Sequence, residues 1–322
     1  MRNLIREIGS KAWVSNGQET INLPRDYAYI DLMVELYAKI TIAGANAAEV
    51  LADNSPAQLL KTIEIRANGR DVIKSLDFAG LIRLTQLRYG TAPNHTVLAT
   101  AGNQANTECY VYAIIPQAMW RAVVPFDTLF NAKPLSTYEA ILTFGAVADI
   151  LTTAGAATLT VVAAIVYISS KEAVGLEADK ILPINKEATI ESTITATATE
   201  HKISLNYAKD LAYRALVLRA HDANCLSNAI INNIKLQSGG VIFNNLAGRR
   251  TRNRNKLMYS VEAMPTGYYA LDFAEDGRLA DSLDTSGLSS LDLILDVTVG
   301  SGTTKVKVYT TEIITPTVVT QR

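Results

Sequence analysis

A chain of 322 residues is longer than one hydrophobic core usually serves, so two domains are expected. The 30 Lys and Arg against 31 Asp and Glu leave a formal charge of −1, which excludes a protein held to nucleic acid by its global field; any basic site must be local. Two cysteines, Cys109 and Cys225, and three histidines, His95, His201 and His221, lack the spacings of a disulfide scaffold, a zinc ribbon or a paired-imidazole helix, so two buried thiols and no transition-metal site are expected.

The N-terminus carries charges but no apolar core or cleavage site of a secretory signal, and it is expected to be retained. Leu4, Ile5 and Ile8 stand at helical spacing beside Arg2 and Arg6, which reads as an arm over residues 1–17 that either frays or lies against a membrane or a neighbouring subunit. Strands are predicted over Glu19 to Leu23 and Tyr27 to Ile42, followed by a long loop from Ala43 to Ala57. Ile63-Glu64-Ile65-Arg66 alternates apolar and polar and meets Asn68-Gly69, a pair that tolerates the positive φ of a tight hairpin turn. Asp77 to Tyr89 is the best helix, with Asp77 able to cap it and Leu81, Leu84 and Leu87 on one side. Strands over Glu108 to Ile115 and Thr137 to Phe144 flank a second long loop, Gln117 to Pro134. Ile150 to Ser170 is uncharged and long enough to cross a bilayer, but its turn-like start and the β-branched run Leu159 to Ile168 favour a loop and a buried strand.

A polar stretch, Lys171 to Pro183, marks the domain junction, placed at 174/175. Beyond it come strands over Thr189 to Thr197, Lys202 to Leu205 and Ala212 to Arg219, a second helix within Leu246 to Tyr259, and strands over Tyr268 to Phe273, Leu291 to Val297 and Lys305 to Val308. Many short strands with a short helix in each half point to an all-β sandwich or barrel class.

The two halves repeat each other at an offset of roughly 170 residues. Thr62-Ile63-Glu64-Ile65 with Asn68-Gly69, Val72-Ile73 and a helix ending at Tyr89 is echoed by Asn233-Ile234-Lys235-Leu236 with Gly239-Gly240, Val241-Ile242 and a helix ending at Tyr259. Ile21-Asn22-Leu23 before Tyr27-Ala28-Tyr29 finds Ile203-Ser204-Leu205 before Leu211-Ala212-Tyr213, and Tyr110-Val111-Tyr112 finds Tyr268-Tyr269-Ala270. The shared order carries the weight: strand, long strand, hairpin, helix, tyrosine strand, final strands.

This order resembles the double jelly-roll major capsid proteins of icosahedral, membrane-containing bacteriophages, corticovirus-like and similar to the lipid-containing phage of Flavobacterium. Leu60 to Lys74 carries part of the likeness. The rest lies in Gly267 to Arg278, continuing through Leu283 to the alternating Leu291-Asp292-Leu293-Ile294-Leu295-Asp296-Val297. The resemblance implies two tandem jelly-roll β-sandwiches, residues 1–174 and 175–322. It also implies a structural coat protein, not an enzyme, located in the virion capsid shell after assembly in the host cytoplasm. Its implied partners are itself as a homotrimer, neighbouring capsomers, penton or other minor capsid proteins and an internal viral membrane, with no sequence-specific nucleic acid. A trimer of such chains presents six similar columns and tiles a shell as a pseudo-hexagon, while the loops Ala43 to Ala57 and Gln117 to Pro134 are candidates for outer turrets or contacts between neighbours.

Two clusters are weighed as sites. Arg249, Arg250, Arg252, Arg254 and Lys256 form a dense basic run that spreads around a helix, suited either to ion pairs with neighbouring subunits or to anionic lipid headgroups. Asp272, Glu275, Asp276, Asp281 and Asp284 surround a Gly-containing turn; they are weak candidates for a structural calcium, without EF-hand spacing, and a solvated acidic turn is favoured. Phosphate-loop, dinucleotide, nucleophile-elbow and zincin motifs are absent, which leaves only a carboxylate-only site open. The alternative function is a two-domain β-sandwich protein that binds or processes glycans; such sites usually present exposed Trp, and only Trp13 and Trp120 occur.

Overall fold

The computed structural model describes residues 2–44, 50–52, 54–96, 98, 103–153, 155–177, 180, 182–222 and 225–315. The chain forms two compact units, one from Met1–Ala118 and Leu129–Lys180, the other from Met119–Thr128 and Ile181–Arg322. The junction therefore falls at 180/181 rather than 174/175. Side chains of the first unit hold the intervening segment: Lys133 Nζ donates to Leu176 O at 2.6 Å, and Asn131 Nδ2 to Glu177 O at 3.0 Å and Lys180 O at 3.1 Å.

The first unit contains strands β1 (Arg2–Ala12), β2 (Gln18–Asn22), β3 (Ala28–Ala43), β4 (Val50–Leu51), β5 (Leu60–Ala67), β6 (Asp71–Asp77), β7 (Gln104–Pro116), β8 (Phe130–Asn131), β9 (Tyr138–Phe144), β10 (Leu151–Thr153) and β11 (Thr158–Val174), with helix α1 (Phe78–Tyr89) after β6. One sheet runs β1-β11-β3-β7, with β8 also on β3. The other runs β6-β5-β9-β2. All pairs are antiparallel. In β3 the period-two signal is realised: Leu32, Val34, Leu36, Ala38 and Ile40 are buried, while Met33, Glu35, Tyr37 and Lys39 face outward.

The second unit contains β12 (Ile184–Ile194), β13 (Ala198–Ser204), β14 (Leu211–Asp222), β15 (Cys225–Leu226), β16 (Ile231–Ser238), β17 (Val241–Ala247), β18 (Tyr268–Asp272), β19 (Leu283–Asp284), β20 (Asp292–Val297) and β21 (Thr304–Ile314), with α2 (Gly248–Met258) after β17. Its sheets run β12-β21-β14-β18, with β15 and β19 also on β14, and β13-β20-β16-β17. Leu216, Leu218, Val306 and Val308 from the first meet Ile234, Leu236, Leu293 and Leu295 from the second in one core.

Apart from β4, β10 and β15, the two units are congruent strand for strand. β1, β11, β3 and β7 correspond to β12, β21, β14 and β18; β2, β9, β5 and β6 correspond to β13, β20, β16 and β17; β8 and β19 occupy the same place. Even a bulge repeats: register shifts between Ile65 and Arg66 in one hairpin and between Leu236 and Gln237 in the other. Asn68 and Gly69, both at positive φ, turn the first hairpin as their sequence predicts. Asp77 caps α1 by accepting from the Gly80 amide at 3.0 Å. Each helix is docked by one polar side chain onto the tyrosine strand. Thr85 Oγ1 accepts from Ile114 N at 3.0 Å, and Asn255 accepts from Ala270 N at 2.8 Å while donating to Ala270 O at 2.9 Å.

Three expectations need correction. The N-terminal arm is a strand: β1 pairs along β11 from Arg2 opposite Val174 to Ala12 opposite Ile165, because a long neighbouring strand satisfies its backbone where an isolated nine-residue helix could not. Cys109 is buried, with its thiol pushed up to about 11 by burial, but Cys225 on the short strand β15 is exposed. The loop Gln117 to Pro134 does not simply project. Met119, Trp120, Leu129 and Phe130 are buried, and its middle, Met119–Thr128, belongs to the second unit. In the loop Ala43 to Ala57, residues 45–49 and 53 lie outside the described residues. The apolar run near Ile150 becomes β10 and β11, and among the described residues no helix is long and apolar enough to cross a membrane.

Candidate assembly surfaces

The basic run divides once α2 forms. Arg252 turns inward: Nη1 donates to Pro265 O at 2.7 Å and Tyr268 O at 3.1 Å, and Nη2 to Met264 O at 3.1 Å, so it ties the following loop to the helix. Burial pulls its pKa down. Arg254 pairs with Glu275. Arg249, Arg250 and Lys256 remain exposed, beside Leu257 at 82% exposure. Arg249 and Arg250 stand in the first turn of α2, where the helix dipole disfavours cations, so they are not there for helix stability.

Among the acidic candidates, Asp272 is committed to a buried hub. It pairs with Arg214, whose guanidinium lies 4.7 Å from the Trp120 ring centroid, and accepts from Tyr259 OH at 3.1 Å. Asp276 accepts from the Arg278 amide at 3.1 Å, which lowers its pKa; Asp281 is raised by its hydrogen bond with Asp276. Asp284 is lowered by the amide and hydroxyl of Ser286. Asp272, Glu275, Asp276 and Asp281 line a cleft of about 430 Å³ with Phe243, Phe273 and Arg254. Yet among the described residues no group of three or more His, Cys, Asp or Glu is arranged to hold a metal ion. Their oxygens meet arginines, amides and hydroxyls, and Asp276 and Asp281 bond each other.

The hub also explains why Met119–Thr128 joins the second unit. Arg121 donates to Met258 O at 3.2 Å and Tyr259 O at 3.1 Å, and Val123 N donates to Gly277 O at 3.0 Å. Gly277 has φ +79°, and a Cβ there would stand 2.0 Å from Arg121 O, so only glycine permits this approach.

Two further surfaces are exposed. On the outer face of the β1-β11-β3-β7 sheet, Tyr37, Tyr110 and Tyr167 with Glu7, Glu35 and Ser169 line a shallow cleft of about 410 Å³. Tyr110 and Tyr37 rings lie 5.3 Å apart, and Tyr112 OH donates to Glu35 at 3.1 Å. In the second unit the edge strand β17 shows Val241, Ile242 and Phe243 to solvent.

No protein-family model matches the sequence, and no curated protein does. Among solved structures, the major capsid protein of STIV, the Sulfolobus turreted icosahedral virus, superposes with a TM-score of 0.79 at 15% identity, over 98% of this chain and 98% of that one. The chain has a double jelly-roll fold. The major capsid protein of bacteriophage PM2 matches at TM-score 0.65 and 12% identity over 99% of both chains, and that of the PBCV-1 capsid at 0.63 and 14% over 97% of this chain and 95% of that one. The likeness thus extends beyond the bacteriophage coat proteins that the sequence resembles.

In this double jelly roll the features missed from sequence are the bare strand edges and the Arg214–Asp272 hub. One signal for the first was available. Val241-Ile242-Phe243 is a continuous apolar triplet where a half-solvated strand should alternate. Nothing in the sequence pairs Arg214 with Asp272, because charge partners 58 positions apart leave no local pattern.

Proposed function

We propose that the chain is a coat subunit whose homotrimers form pseudo-hexagonal capsomers of an icosahedral viral shell laid over an internal lipid membrane. The strand-for-strand duplication supports this reading above all: each chain supplies two equivalent sandwiches, so three chains supply the six similar faces that hexagonal packing needs. The role is structural, and no enzymatic step is assigned to it. The glycan-binding alternative loses its expected platform, since Trp120 is buried under Arg214 and Trp13 is half-buried with Nε1 donating to Gly145 O at 3.0 Å. Contact with anionic headgroups falls to Arg249, Arg250 and Lys256, the members of the basic run that remain exposed and are not tied to carbonyls or to Glu275. Mass measurement of the purified protein in solution, with electron microscopy, tests the reading. Trimers and shell-like assemblies are expected; a persistent monomer that never assembles overturns it. Charge reversal at Arg249 and Arg250 is expected to weaken binding to anionic vesicles while leaving trimers intact, and unchanged binding removes the lipid contact.

A further inference from the structure

One acidic cluster of this chain is answered by cations and another is not. In the second unit Asp272, Glu275 and Asp276 each meet an arginine. On the outer face of the β1-β11-β3-β7 sheet, among the described residues, no ion pair reaches Glu7, Glu35 or Glu108. Lys39, opposite Glu108 in the β3–β7 register, is set against all three, and Lys171 further along stands opposite Asp31.

Tyrosines are interleaved with these acids. The registers place Tyr167, Glu35 and Tyr112 in one row across β11, β3 and β7, with Tyr37 and Tyr110 side by side in the next row and Glu7 opposite Ser169 in the row on the other side. The hydroxyls are committed to the carboxylates. Tyr37 OH donates to Glu108 Oε1 at 3.4 Å, Tyr110 OH to Glu108 Oε2 at 3.2 Å and Tyr112 OH to Glu35 Oε1 at 3.1 Å. Partial desolvation and these carboxylates push all three phenols above their ordinary pKa, so they keep their protons and remain donors. The cleft of about 410 Å³ therefore offers a ligand aromatic faces and carboxylate lone pairs.

Such a surface is complementary to a group that only donates. An anion is repelled. A quaternary ammonium has no hydrogen for the carboxylates, and a primary ammonium is a strongly hydrated point charge with no plane to lay on a ring. A guanidinium has five N–H donors and no acceptor, is weakly hydrated, stacks on aromatic faces and fits a carboxylate with its fork. We infer that this face binds an arginine side chain on an extended peptide segment of another protein, its guanidinium laid on Tyr37 and Tyr110 and donating to Glu35. A peptide is the fitting carrier because a free amino acid would bring its own carboxylate among Glu7, Glu35 and Glu108, and because the cleft leaves room for the residues flanking the arginine. The site belongs to the single chain, so its failure leaves the coat reading untouched.

Calorimetric titration of the full-length protein with an acetylated, amidated Gly-Arg-Gly-Arg-Gly peptide tests this. The comparison ligands are the same peptide with citrulline, the neutral isostere, or with lysine in place of arginine, and free arginine. The arginine peptide is expected to bind about fivefold or more tightly than each of them. Tyr37→Leu and Tyr110→Leu are expected to weaken it about fivefold and Glu35→Gln about threefold, while Tyr37→Phe and Tyr110→Phe, which keep the ring, stay within about twofold. These side chains face outward, so the circular dichroism of every variant is expected to match the native protein. Equal binding of the citrulline or lysine peptide overturns the guanidinium, and equal binding of free arginine overturns the peptide carrier. Unchanged affinity in the leucine variants or in Glu35→Gln overturns the face, and a folded protein that binds no peptide overturns the site. Tighter peptide binding by Arg249→Ala combined with Arg250→Ala would show that a second copy's arginines already fill the face, which overturns the assignment to another protein.

Discussion

Asp272→Asn should be among the most damaging single changes in the second unit. The Arg214 side chain is 1% exposed and that of Asp272 4%, so the substitution removes the charge of a carboxylate paired with a guanidinium in the core. Breaking one side of such a pair costs about 3–5 kcal/mol, most of it the desolvation of the stranded charge. At about 2–4 °C per kcal/mol for a domain of this size, the transition should fall by roughly 6–20 °C. Trp120 lies against Arg214 and reports the site directly, so its fluorescence during denaturant unfolding, in a Trp13→Phe background, isolates the local transition. The double variant Arg214→Met with Asp272→Leu removes both charges and should be less destabilised than Asp272→Asn alone. A loss below about 1 kcal/mol for Asp272→Asn, or a double variant worse than the sum of its singles, would refute this account of the hub.

Other consequences are equally direct. Gly277→Ala forces a Cβ into Arg121 O at a positive φ, and should release Met119–Thr128 from the unit, seen as proteolysis within that segment while the rest stays resistant. Asn255→Ala strands the amide and carbonyl of Ala270 and should cost roughly 2–5 kcal/mol in denaturant unfolding, against roughly 1–3 for Thr85→Val, which strands the Ile114 amide and removes the hydroxyl donated to Leu81 O, a carbonyl inside the same helix. Glu312 is raised above 4.5 by burial, with Lys186 opposing. The folded state therefore holds its proton to a higher pH than the unfolded chain, so this group's stabilisation is present below 4.5 and lost as pH rises through the folded value. Unfolding free energies at pH 4.5 and 7.5 should fall more in the native protein than in Glu312→Gln; equal differences would exclude Glu312 as the source.

Much of the architecture is local and therefore readable in the sequence. Alternation in Tyr27 to Ile42 and Leu291 to Val297, the Asn68-Gly69 turn and the Asp77 cap are relations between near neighbours, and each appears in place. The order of elements repeats because the two units bury the same faces. Where the reading failed, the deciding relation was distant. Leu4, Ile5 and Ile8 suit a helix face by spacing alone, but β11, more than 150 positions away, makes the segment a strand. The five cations were expected to spread around a helix, but which of them stay free for a partner was not legible: the fold sends Arg252 to three carbonyls and Arg254 to Glu275. By itself the sequence determined two congruent all-β units and their hairpins and helices, since period and turn chemistry are written residue by residue. Only the tertiary structure decided that Met119–Thr128 crosses to the second unit, that Asp272 belongs to Arg214, and that Val241, Ile242 and Phe243 of β17 lie exposed, because burial depends on which chain segments meet, and that is set by contacts far apart in sequence.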